Sequence, residues 1–274
     1  MIRIRSTLVL ALAFTLAACA WLGSQEDETK DWNVTKLYSE ASEALAAGNY
    51  KRAIEYYEKL ETRYPSGPYA MQSHLDVAYA YYRAQEPESA ISTADRFIKL
   101  YPQHFYVDYA YYLKGIVNYN RSTGFFDRYI PTDPSQRDPG SALDAFRDFA
   151  ELGRLFPDSK YARDARQRMI YLRNNLAKNE IHVARYYMKR QAYVAAANRC
   201  KHVLKHYQRT SAIADALEIL IEAYRKLGEY QLVADTERVL TLNHQAGRFL
   251  DDERPPGTVN LGRKLWDYIG LDTN

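Results

Sequence analysis

Apolar and polar positions follow one another along this chain at helical spacing. From Asn49 to Pro65, in NYKRAIEYYEKLETRYP, the residues Ala53, Ile54, Tyr57, Leu60 and Tyr64 share one stripe at i, i+3/i+4 intervals. Gly48 and Asn49 signal a turn ahead of that helix, and Pro65 ends it. The device recurs: Ala90, Ala145 and Ala196 stand eleven residues before Tyr101, Phe156 and Tyr207, as Ala53 stands before Tyr64. Pro102 and Pro157 close the second and third copies, and Gln208 takes the place of a fourth proline. Ala41, Ala78 and Ala184 lie twelve residues ahead of Ala53, Ala90 and Ala196. Small residues at two fixed offsets suit helical hairpins whose backbones approach closely, and self-similarity of this length marks a repeat array.

These small positions and closing prolines resemble the tetratricopeptide repeat, and Val34 to Pro65 is near that family's usual length. Five units are expected, the fifth degenerate, with Ile221 and Val233 at its small positions. The fold class is therefore all-α: a superhelix of five tetratricopeptide-like helical hairpins, with a long fourth-repeat helix and an inserted loop in repeat three. In repeat three, thirty residues separate Gly115 from Ala145 where the pattern expects twelve. The excess, about residues 120–138, carries Gly124, Pro131, Pro134 and the pair Phe125-Phe126; it either meets a partner or folds back on its own repeat. In repeat four, Pro157 to Ala184 is 27 residues rather than 13, an excess close to four helical turns that preserves the buried face. One helix is predicted from Lys160 to Arg190, with Ala162, Ala165, Met169, Leu172, Leu176, Ile181, Ala184 and Tyr187 inward. It joins front repeats, residues 34–157, to rear repeats, residues 158–244. Repeat five pairs Ala212–Leu227 with Glu229–Asn243 across Gly228, a helix stop. In the tail, residues 245–274, Leu261, Leu265, Trp266 and Ile269 are spaced for a short amphipathic helix that caps the last repeat or docks on another protein.

Arg3 and Arg5 precede an apolar run from Leu8 to Ala18, too short to span a bilayer and suited to a signal peptide. Leu16-Ala17-Ala18-Cys19 resembles the bacterial lipoprotein box. That resemblance implies removal of residues 1–18, lipidation of Cys19 and stable anchoring through several acyl chains. Ala20 after the cysteine favours the outer membrane, with the protein on its periplasmic face. Residues 19–33 read as a flexible tether with a coil span of about 20 Å. The formal net charge of +3 falls once Arg3 and Arg5 are removed, leaving 35 basic against 34 acidic residues. Near-neutrality with interleaved signs argues against nucleic acid as the main partner. With Cys19 lipidated, Cys200 has no partner in the chain, and its core-facing register, that of Tyr57, makes it a buried small hydrophobe.

The chain holds no phosphate-cradling glycine loop, no nucleophile elbow and no paired cysteines. His202 and His206 lie one turn apart beside Cys200, but no carboxylate sits at ligand spacing, so neither a metal nor another cofactor is expected, nor an enzyme. A surface remains. The tetratricopeptide resemblance implies that first helices line a concave groove, which places Tyr38, Leu75, Tyr79, Tyr82, Tyr109, Tyr112, Ile116 and Tyr119 there. Tyrosine offers large contact area with few rotors to freeze and suits an extended peptide, though such residues also pack between helices.

The lipoprotein box, five repeats, the stretches NYKRAIEYYEKLETRYPSGPYA and RDPGSALDAFRDFAELGRLFP, and the long helix running into VAAANRC together resemble the tetratricopeptide lipoproteins of the outer-membrane β-barrel assembly (Bam) complex. The resemblance implies that the front groove receives unfolded outer-membrane protein C-terminal segments and that the rear repeats hold the periplasmic domain of BamA. Other Bam lipoproteins would join them. Arg199 is expected to make a charged contact with BamA, and Phe125 and Phe126 to meet a partner. Two departures stand out: the insertion is lengthened by Ile130 to Ser135, and residues 245–274 exceed the family core. The alternative is a structural or cell-wall-associated repeat lipoprotein linked to competence.

Overall fold

Asparagine and proline set the first four helix starts. In the computed structural model, which describes residues 27–122, 133–136 and 138–249, Asn33 caps α1 (Val34–Ala46) by accepting the Lys36 N–H at 2.9 Å. Asn49 caps α2 (Tyr50–Arg63) from the Arg52 N–H at 3.3 Å. Pro68 and Pro87 open α3 (Pro68–Arg83) and α4 (Pro87–Leu100), where a missing N–H leaves no helix bond unmade. Then follow α5 (Val107–Ser122), a 3-10 turn (Pro134–Gln136), α6 (Gly140–Leu155) and α7 (Ala162–Lys189). The array ends with α8 (Tyr193–His206), α9 (Ala212–Leu227) and α10 (Tyr230–Gln245). No strand occurs among the described residues.

Consecutive helices pack in chain order as five hairpins, and first helices also touch across hairpins, α1 with α3, α3 with α5 and α7 with α9. The small residues explain the close approach: Ala41, Ala53, Ala78, Ala90, Ala145, Ala184 and Ala196 are all fully buried. Second helices end alike, the backbone N–H groups of Tyr64, Tyr101, Phe156 and Tyr207 bonding the carbonyls of Leu60, Phe97, Leu152 and Val203. Four hairpin turns put one residue in the left-handed region: Gly48, Gln85, Gln191 and Gly228, at φ of 78°, 64°, 60° and 79°. Cys200 is fully buried among α7, α8 and α9, and burial pushes its thiol up to about 12.

α7 is the expected long helix, 28 residues, with Ala162, Ala165, Leu172, Leu176, Ile181 and Ala184 buried and Met169 and Tyr187 half-buried. Its first half shares a core with α5 and α6; its second half shares another with α8 and α9.

Two segments differ from expectation. α5 continues through Ser122, so helix replaces the first residues of the expected loop. At the far end of the insertion, Ser135 is buried against α7, meeting His182 Nε2 at 2.9 Å and accepting the Asn179 amide at 2.8 Å on its carbonyl. This end of the insertion therefore meets repeat four. Residues 27–33, expected in the tether, pack on α2 instead. Lys59 Nζ donates to Asp27 at 2.8 Å, Arg63 bonds Asp27 and Thr29, and the Trp32 ring lies 5.3 Å from that of Tyr56. The expected signal segment, Cys19, Phe125, Phe126 and the tail from Leu250 lie outside the described residues.

Candidate functional site

The side-by-side first helices α1, α3 and α5 carry a continuous run of half-exposed aromatics. On α1, Tyr38 donates its hydroxyl to Asp76 Oδ2 of α3 at 2.8 Å, and its ring lies 5.2 Å from Tyr69. Gln72 Nε2 donates to Asp76 Oδ1 at 2.8 Å. Burial raises the Asp76 carboxyl above its ordinary value, against the pull of the Gln72 and Tyr38 hydrogen bonds. Further along α3, Tyr79 and Tyr82 have ring centroids 6.1 Å apart. Arg83 donates to the Tyr79 hydroxyl at 2.7 Å, and Asn120 of α5 donates to that of Tyr82.

On α5, Tyr109 lies 5.6 Å from Tyr161, and Tyr112 stacks on Tyr161 at 4.6 Å and 17°. Tyr112 donates to Asp164 Oδ2 at 2.7 Å, and Arg168 donates to the same oxygen at 2.6 Å. Burial, then the Asp164 bond, push the Tyr112 phenol up to about 12; burial beside Tyr161 and Tyr79 raises Tyr109 as well. These phenols stay protonated across physiological pH and serve as neutral donors. Ile116 is half-buried against the α5–α6–α7 core.

Six of the eight groove positions from the sequence thus lie half-exposed in one neighbourhood: Tyr38, Tyr79, Tyr82, Tyr109, Tyr112 and Ile116. Leu75 and Tyr119 are corrected to core. Leu75 is 1% exposed because it sits with Phe97, Val107 and Ala110 between hairpins. Tyr119 is 3% exposed because α7 lies over it, with the Tyr171 ring at 6.2 Å and the Arg168 guanidinium at 4.7 Å. The sequence reading did not find Asp76, Tyr161, Asp164 or Arg168. Tyr161 and Asp164 stand just before and just inside the start of α7, where the family's repeat offsets do not reach.

At the rear, Arg199 is exposed on α8 and donates from Nη1 to Glu180 Oε2 of α7 at 3.0 Å. The His202 and His206 rings lie 4.5 Å apart, and no group of three His, Cys, Asp or Glu is placed to hold a metal ion among the described residues. No described helix is long and apolar enough to cross a membrane.

Stacked hairpins with small residues at fixed contacts and an aromatic wall on their first helices define a tetratricopeptide-like helical-repeat protein. Residues 30–240 match the YfiO family, described as outer membrane lipoprotein. A Neisseria meningitidis serogroup A protein named outer membrane protein assembly factor BamD is 47% identical over 246 residues, 89% of this chain and 92% of that protein. Proteins of the same name from Vibrio cholerae and Haemophilus influenzae are 37% and 33% identical, covering 80% and 88% of this chain and 91% of each relative. The chain belongs to the YfiO family of outer membrane lipoproteins.

Proposed function

We propose that this chain is a scaffold of outer membrane protein assembly that works by binding, with no covalent step of its own. The observation that carries the reading is the half-exposed wall formed by Tyr38, Tyr79, Tyr82, Tyr109 and Tyr112 on adjoining first helices. Its phenols donate, the Asp76 and Asp164 carboxylates accept, and the rings offer flat apolar area. This mixture suits an extended segment with free backbone groups and an aromatic end, such as the C-terminal segment of an unfolded barrel precursor. The relatives named as assembly factors support this class of substrate.

The rear hairpins hold the periplasmic domain of BamA in this reading, and other Bam lipoproteins complete the complex. Arg199 is the charged contact. Its exposed guanidinium is already matched by Glu180, so a partner carboxylate would share or replace that pair. Lipidated Cys19 keeps the body at the outer membrane, and the Phe125-Phe126 loop makes a further partner contact.

Titrating the purified protein with a fluorescent peptide ending in a barrel C-terminal sequence tests the groove. Tyr79→Ala and Tyr109→Ala should each weaken binding about tenfold, which is ~1.4 kcal/mol, with helical circular dichroism unchanged. Equal affinity for wild type and both variants would remove the groove assignment.

A further inference from the structure

At two outward registers of the second helices, α10 differs from the four before it. Val239 stands in register with Lys59, Arg96, Glu151 and His202 of α2, α4, α6 and α8. Leu242 stands in register with Thr62, Lys99, Arg154 and Lys205. On α10 both positions are apolar and open, Val239 45% and Leu242 56% exposed, and Leu232 on the same stripe is 39% exposed. A solvated face keeps polar residues at such positions, so the stripe calls for a cover.

The other end of the array shows what covers this face there. The chain's own flanking segment lies on α2, Asp27 bonding Lys59 and Trp32 packing on Tyr56, while the Tyr64 hydroxyl donates to the Trp32 carbonyl at 3.1 Å. α10 begins the mirror arrangement. Gly247, at φ 58°, donates to the His244 carbonyl at 3.0 Å, and Arg248 donates to that of Asn243 at 3.0 Å. That pair of bonds is a Schellman turn, which reverses the chain. Phe249 then rests its ring 4.6 Å from that of His244, the residue in the register of Tyr64. The chain that follows, residues 250–274, holds Leu261, Leu265 and Ile269 at four-residue spacing with Trp266 beside them.

We propose that residues 261–269 fold back on the outer face of α10 and cover Leu232, Val239 and Leu242. This closes the array at its C-terminal end as Asp27–Trp32 closes it at the N-terminal end, and it stands independently of the peptide-binding role. The occupant is this chain's own tail because the Schellman turn already aims it back along the helix and its apolar spacing matches the stripe.

Mild oxidation of the full-length chain carrying Cys19→Ser, Leu242→Cys and Leu265→Cys tests the proposal, since the remaining native cysteine, Cys200, is buried and its thiol held protonated. A disulfide within one chain is expected, formed at a rate independent of protein concentration, while the Lys99→Cys and Leu265→Cys pair stays reduced. Links between chains only would assign the stripe to a second copy, and no link at all would leave it to another protein; either result overturns the proposal. Binding of an apolar fluorescent dye gives a second reading. Removing residues 250–274 should raise dye binding, and adding Val239→Asp to the shortened chain should lower it again. Dye binding indifferent to the tail would equally overturn the assignment.

Discussion

Gly115 is glycine because nothing larger fits where α5 meets α6. A Cβ placed there would stand less than 3.0 Å from three ring atoms of Phe149, which is itself fully buried and has no room to swing away. Gly115→Ala is therefore expected to destabilise the protein by about 1–2 kcal/mol, overpacking outweighing the gain in helix propensity. Gly153, one helix on, has nothing within 4 Å of its built Cβ. There Gly153→Ala should stabilise by up to about 1 kcal/mol, so urea unfolding of the two variants should move the midpoint in opposite directions. The same logic of local fit governs the hairpin turns. Gln85 and Gln191 occupy the left-handed position that Gly48 and Gly228 fill in other hairpins. Replacing each glutamine by glycine should relieve backbone strain and stabilise by about 0.5 kcal/mol, strain relief exceeding the lost unfolded-state restriction. A lower midpoint in either variant would show that the glutamine side chain holds its turn.

At the scale of elements, the 3-10 turn is fastened to α7 by a carboxylate. Burial disfavours charge on Asp133, yet hydrogen bonds from the Ser135 hydroxyl and N–H and from Gln136, with His182 at 3.2 Å, hold its carboxyl below the ordinary value of 3.8. Because the folded value is the lower one, the stabilisation is present above the unfolded carboxylate range and lost as pH falls through the folded value. Wild type and Asp133→Asn should differ in unfolding free energy at neutral pH and converge in acid; parallel curves would mean the clamp carries no charge dependence. Helix existence, the long α7 and the small-residue contacts were legible in the sequence because each rests on spacing that repeats. What escaped it depends on neighbours brought in from elsewhere. Leu75 and Tyr119 carry the offsets of groove residues, but only the packing of α5 and α7 over them makes them core. Asp27 to Trp32 has no period at all, and its order comes from Lys59, Arg63 and Tyr56 more than twenty residues away.

Across the described residues, α7 packs with both halves. Ala165, Tyr171, Leu172 and Leu176 pack with α5 and α6, while Ala177, Ile181 and Ala184 pack with α8 and α9. Asn174 adds a bond, its Oδ1 accepting the Ser211 N–H at 3.2 Å just ahead of α9. In a stack whose units touch mainly their neighbours, cooperativity passes only through such shared elements. A proline at Asn175, beside the Leu176–Ala177 junction of the two clusters, removes a helix bond and crowds the preceding turn, a loss of ~3 kcal/mol or more. It should uncouple front from rear, so that one calorimetric transition becomes two. The surface contact proposed for Arg199 makes a contrasting demand, since the Arg199–Glu180 pair bridges helices at the surface and contributes at most about 1 kcal/mol. Arg199→Glu should weaken BamA pull-down with helicity and the single transition intact. The swap Arg199→Glu with Glu180→Arg restores the internal pair and should leave pull-down weak. If the swap instead returned full binding, the pair's role would be to hold α7 against α8, and the partner would be reading their shape rather than the guanidinium.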